Sequence, residues 1–196
     1  MAGLPPPIND MQKLLRHIGI PRSYWGVDAK KPLVFVEALY RRYNGHVAHV
    51  TAEEQELWFR RLVKNPRKAA DEKLLIVIGS MEADFAAMSA ATILVKKMAG
   101  AGVKVYAAPV MTEERVMSYQ DWKSKHREVL LLYNVTPDSP KDHMQRLRNW
   151  IVKYDHCTRI VVCGGINPIE LMEGKLFYRP IDMAFFVEED RNFENC

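Results

Sequence analysis

Two regimes of hydrophobic spacing divide the chain. Through residue 64 the apolar positions recur at helical intervals, whereas from Leu74 onward short and nearly continuous apolar runs alternate with further helical stretches. Met11, Leu14, Leu15 and Ile18 follow i, i+3, i+4, i+7 spacing behind Asn9 and Gln12, a capping-box arrangement, and Gly19 closes this first predicted helix. A second helix is expected with Pro32 in its first turn, running through Leu33, Val36, Leu39 and Tyr40 and stopping at Asn44-Gly45. A third begins at Thr51, with Glu54 as capping partner, and places Leu57, Trp58 and Leu62 on one face with Arg60, Arg61 and Lys64 off it. Residues 65–73 read as a linker.

The second regime predicts a sheet. Runs at Leu74–Ile78, Val103–Ala107, Val129–Tyr133, Arg159–Cys163 and Met183–Val187 are apolar almost throughout, as strands buried on both faces must be. Helical spacing separates them: Met81, Phe85, Met88, Thr92 and Val95 share a face before Gly100. Ser139-Pro140 opens a helix carrying Met144, Leu147, Ile151 and Tyr154, and a shorter helix is expected after Asn167-Pro168, ending near Gly174. The expected architecture is therefore α/β, a five-stranded parallel sheet with helices on both faces and right-handed crossovers. It divides into an N-terminal helical segment, residues 1–70, and an α/β core, residues 71–196.

Composition agrees with a folded domain. With 196 residues, 48% of them hydrophobic, the chain buries a full core without a metal or disulfide staple. Its three cysteines, Cys157, Cys163 and Cys196, are odd in number and lack CxxC spacing, which fits thiols in a reducing, cytoplasmic setting. No apolar run approaches the ~20 residues of a membrane span, so no membrane contact is expected. A net charge of +4, from 28 Lys and Arg against 24 Asp and Glu, permits contact with a polyanion but is modest for a dedicated nucleic-acid binder.

Candidate chemistry belongs at the carboxyl ends of the strands, where open parallel sheets bind ligands. The first such turn, Gly79 to Ala86, stands where a phosphate-binding P-loop stands, yet Asp84, Phe85 and Ala86 replace the Gly-Lys-Ser/Thr that ends GxxxxGK[ST]. Asp84 and Glu82 repel a triphosphate, and Phe85 coordinates nothing. The third strand ends in Tyr133 and Asn134, where a metal-holding acidic pair belongs in a P-loop ATPase. Asp138 lies in a Thr-Pro-Asp-Ser-Pro turn, and Cys163 precedes Gly164-Gly165 with no histidine tied to it by spacing, so it reads as a structural thiol. His46 and His49, and His156 beside Cys157, lack a second ligand pair at zinc-site spacing. No catalytic residue, metal or cofactor is therefore expected. Basic residues are more informative. Tyr119, Trp122, Lys123, Lys125 and Arg127 interleave aromatics with cations, a pattern that serves single-stranded nucleic acid through stacking and phosphate contact.

The order of these pieces resembles the helicase-loader branch of the AAA+ P-loop ATPases, the DnaC/IstB type. Gly19-Ile20-Pro21-Arg22-Ser23-Tyr24 is similar to the lead-in of the loader ATPase domain, Gly79 to Ala86 lies at the Walker A position, and Leu130 to Asn134 lies at the Walker B position. Leu147 to Tyr154 resembles a loader helix, Thr158 to Val162 a sensor strand, and Leu171 to Arg179 the segment before the last core strand. Both nucleotide motifs are degenerate. The resemblance implies a non-catalytic, AAA+-like accessory of DNA replication that docks on a replicative helicase or a related DNA-handling assembly and touches single-stranded DNA. Met11, Leu15 and Trp58 would be apolar anchors for that partner. The competing expectation is an assembly protein that uses the same domain in an oligomer without DNA contact.

Overall fold

The structure, a computed structural model, describes residues 33–36, 38–41, 47–82, 85–109, 127–167, 177 and 181–189. Its elements in chain order are β1 (Leu33–Phe35), β2 (Ala38–Arg41), β3 (Val47–Val50), α1 (Ala52–Lys64), α2 (Pro66–Asp71), β4 (Leu75–Ser80), α3 (Phe85–Gly100), β5 (Lys104–Pro109), β6 (Glu128–Val135), α4 (Lys141–Lys153), β7 (Thr158–Gly164) and β8 (Met183–Glu189). The first expected helix and the short helix after Asn167 lie outside the described residues.

Every β4 residue from Leu75 to Ser80 is buried, and so is every β7 residue. These two strands pair in parallel at the middle of a six-stranded sheet of order β1-β8-β4-β7-β6-β5. The five expected strands are all present and mutually parallel. The sheet is nevertheless mixed and larger than expected, because β1 adds antiparallel to β8, with Val34 opposite Glu188. Counted along the chain, the parallel strands stand fifth, first, fourth, third, second. Alternation sorts their side chains: Ile76 and Ile78 join α1, α2 and α3 in one core, while Leu75 and Val77 join α4 in the other.

Three expectations are corrected. Where the second helix is expected, the described residues are strands, β1 over Leu33–Phe35 and β2 over Ala38–Arg41, and β2 pairs with β3 in a separate two-stranded ribbon. Leu33, Val36 and Leu39 fit a helical interval, but Val36 donates its N–H to the Phe186 carbonyl at 2.8 Å, and this sheet bond prevails over the spacing. The linker at 65–73 contains α2, which Pro66 starts at a position where its fixed φ suits a helix, with Ala69 and Ala70 buried beneath. On α1 the buried face is Gln55, Phe59 and Leu62, while Leu57 points outward.

Gln55 explains that rotation. Its side-chain amide donates to the Val36 carbonyl at 2.6 Å and accepts from the Phe186 N–H at 2.9 Å, so it completes backbone pairing between β1 and β8 from within the core. Phe35, Phe59 and Phe185 pack together with centroids 5.4 to 6.3 Å apart, Phe185 edge-to-face with both others and Phe35 tilted against Phe59. Thr51 caps the same helix by accepting from the Glu54 N–H at 3.1 Å, as the spacing predicts. α3 carries small residues, Ala86, Ala87, Ala90 and Ala91, all buried, which lets it lie close between the sheet and the first two helices.

Replacing Gln55 by Leu leaves a buried carbonyl and a buried N–H without partners. The expected loss is about 3 kcal/mol in urea unfolding, summed over two abandoned bonds. An unchanged midpoint refutes the bridging role.

Candidate functional site

The carboxyl edge of the sheet changes direction at its centre. After β4 the chain crosses to the far edge at β5, whereas after β7 it crosses the other way to β8, so the adjacent ends of β4 and β7 form the switch point at which an open α/β sheet takes a ligand. Two loops meet there, Met81–Glu82 and Gly165–Asn167. Gly165 holds φ at 65°, a left-handed conformation that favours glycine, and in it donates its N–H to the Glu82 carbonyl at 2.7 Å. Ile166 donates to the Ser80 carbonyl at 3.2 Å. The amides with which a strand-to-helix turn holds a phosphate are those of the turn itself, here the turn from β4 to α3, whose residues 83 and 84 lie outside the described residues. The bonds of Gly165 and Ile166 tie the loop after β7 to that turn.

A Cβ placed on Gly79 meets the Phe186 ring at 3.0 Å and the Ile166 side chain at 3.3 Å, so these two residues pack closely against the end of the strand. Both are buried. Sequence reasoning passed over them because each reads as an ordinary core residue, and the shape that links them to Gly79 exists only once β8 lies beside β4.

Of the residues at the degenerate nucleotide positions, Gly79 is inside β4, Phe85 opens α3 half exposed, and Ala86 is buried. Asp84 lies outside the described residues. Met81, expected on the helix, precedes it and is exposed beside Phe85 and the Glu82 carboxylate. Tyr133 and Asn134 both lie in β6. Burial pushes the Tyr133 phenol up to about 12, which keeps it protonated and unfit as a base near neutrality. Cys163 is buried in the core that α4 covers. Among the described residues no group of three or more His, Cys, Asp or Glu side chains is placed to hold a metal ion, and no helix is long and apolar enough to cross a membrane.

Most of the other predicted contacts, Met11, Leu15, Tyr119, Trp122, Lys123 and Lys125, lie outside the described residues. Trp58 packs half-buried against both cores. Arg127 stands at the opposite end of the sheet from the switch point, just before β6, where its Nε sits 3.0 and 2.9 Å from the two oxygens of Asp71 on α2. In comparisons with family models, with curated proteins and with solved structures, nothing matches this chain. The loader resemblance therefore rests on the order of its elements and on its short motifs.

Gly79→Ala forces the buried Phe186 ring to shift and is expected to cost about 1 to 3 kcal/mol of stability by chemical denaturation, with no cost if the ring moves freely. Burial also raises the Cys157 thiol from 9.0 to about 12, with Glu128 and Asp155 adding to the rise and Arg159 opposing it. Its contribution to stability is complete below pH 9 and is lost as pH rises toward 12, because the unfolded chain releases that proton first. Between pH 9 and 10 stability should fall with a slope approaching about 1.4 kcal/mol per unit for this group, and Cys157→Ala should flatten it. An identical slope in the variant assigns the alkaline loss elsewhere.

Proposed function

We propose that this chain is a non-catalytic, AAA+-like accessory protein of DNA replication, which docks on a replicative helicase or a related DNA-handling assembly and uses its α/β domain as a scaffold. One observation carries the non-catalytic half: the turn after β4 leads into α3 through Asp84, Phe85 and Ala86, where a P-loop has Gly-Lys-Ser/Thr, so neither the lysine charge nor the metal-holding hydroxyl is supplied there. The carboxylate of Glu82 at the same edge adds repulsion to any triphosphate.

Support for the assembly half comes from the resemblance in element order and from the placement of the parallel strands, with the first strand central and the strand after the degenerate turn at the far edge. Function resides in the surfaces built on such a frame. A scaffold without the nucleotide chemistry retains those surfaces.

Two measurements test the halves separately. Calorimetry with ATP and Mg²⁺ should give no binding stronger than about 1 mM, and micromolar affinity overturns the non-catalytic reading. Light scattering on mixtures of the full chain with the replicative helicase of its own source should show a joint species at about 10 µM. Separate species at that concentration overturn the docking reading.

A further inference from the structure

Charge is segregated along the strand direction. At the carboxyl edge stand Glu53 and Glu54 in the first turn of α1, Glu82, Asp138 and Asp142. The amino-terminal edge, where α1, α2 and α3 finish, carries exposed Arg61, Lys64, Arg67, Lys68 and Lys97. Helix dipoles account for part of this, since α3 and α4 run back from the carboxyl edge and cations favour helix C-termini. They do not account for Arg67. It occupies the second position of α2, where the dipole disfavours a cation, and Arg127 lies outside any helix.

Backbone and side-chain bonds gather these cations at one place. Asn65 N–H closes α1 on the Arg61 carbonyl at 3.0 Å, and Pro66 starts α2 at once, which brings Lys64, Arg67 and Lys68 within five residues. Arg67 Nε donates to the Ala101 carbonyl at 2.8 Å, and Ala101 N–H in turn donates to the Lys97 carbonyl at 3.1 Å, so the end of α3 is held against the start of α2. Two carboxylates stand among them. Asp71 is engaged by Arg127, and Glu72 lies 3.8 Å from Lys68.

We propose that this amino-terminal edge is a binding surface for the phosphate backbone of a nucleic acid, contacted by Arg61, Lys64, Arg67, Lys68 and Lys97. The apolar neighbours on these helices face inward: Leu62, Ala69, Ala70 and Met98 are buried. Of the large apolar side chains exposed among the described residues, Val34, Leu57, Met81 and Phe85 belong to none of these helix ends, and Val152 is on α4, on the other face of the sheet. A membrane surface asks for apolar insertion beside the cations, and a protein partner asks for apolar anchors. A dense row of phosphates asks for cations alone and is read without regard to sequence. This inference stands whether or not the chain docks on a helicase.

The test is fluorescence anisotropy of the full chain with a labelled oligonucleotide of about 20 nucleotides, single-stranded and duplex, across a salt series. The variant Lys64→Gln/Lys68→Gln/Lys97→Gln keeps Arg67 and its bond to Ala101, so the fold should melt as the parent does by circular dichroism. Its affinity at low salt should fall at least about tenfold, and the slope of log K against log salt should shrink by about 2 for single strands. Lys141→Gln, at the other end of the sheet, should change neither. No binding by the parent, an unchanged slope in the triple variant, or an equal loss in Lys141→Gln overturns the proposal. So does equal retention on polyglutamate or on vesicles containing anionic lipid, which would assign the surface to an acidic protein or a membrane.

Discussion

Burial of β4 on both faces and both edges governs the rest of the molecule. A strand so enclosed disfavours charged side chains, and its backbone must find its partners within the protein. The run Leu75–Ile78 satisfies the first demand; the parallel ladders, with Asp182 at Leu75 and Ile166 at Ser80 closing the two ends, satisfy the second. Gly79 follows from the same enclosure. Phe186 of β8 lies opposite it in register, so a larger residue there must displace a buried ring. The strand consequently continues through Ser80 before the turn, and the turn is tied to the loop after β7 by two backbone bonds.

Buried polar groups hold the edges of this core in place. Thr158, at the start of β7, donates its hydroxyl to the Ala69 and Ala70 carbonyls and accepts the Leu74 N–H, joining the end of α2 to the central strands. Arg159 is buried, and its guanidinium reaches the carbonyls of Cys157, Ile151 and Lys73, closing α4 over the same end. Lys73 adopts φ of 55° to present that carbonyl. Together with Gln55 these residues make polar contacts between distant parts of the chain, where an unsatisfied group would cost more than the bond contributes.

The parallel strands were legible because enclosure leaves a direct trace, a short unbroken apolar run, and all five runs are strands within two residues of their expected ends. The α4 face was legible for the same reason, with Met144, Leu147, Ile151 and Tyr154 all buried. Edge elements leave no such trace. β1 is three residues long and takes its conformation from β8, more than 150 residues away, while Gln55 reads as a polar surface residue until Val36 and Phe186 converge on it. The close packing of Phe186 and Ile166 against Gly79 was not visible either, because shape between strands is absent from spacing along one.

The direction of the helices links fold to surface. Because α3 and α4 each follow a strand and return against it, their amino ends share the carboxyl edge and their carboxyl ends share the opposite one. Acidic residues at the first ends and basic residues at the second complement the dipoles, and the side chains, each a full charge, set the sign of the field outside. Such an arrangement makes the customary ligand edge of a parallel sheet repel anions and makes the far edge attract them. The acidic edge and the basic edge are then two results of one layout, the common direction of the helices that follow the parallel strands.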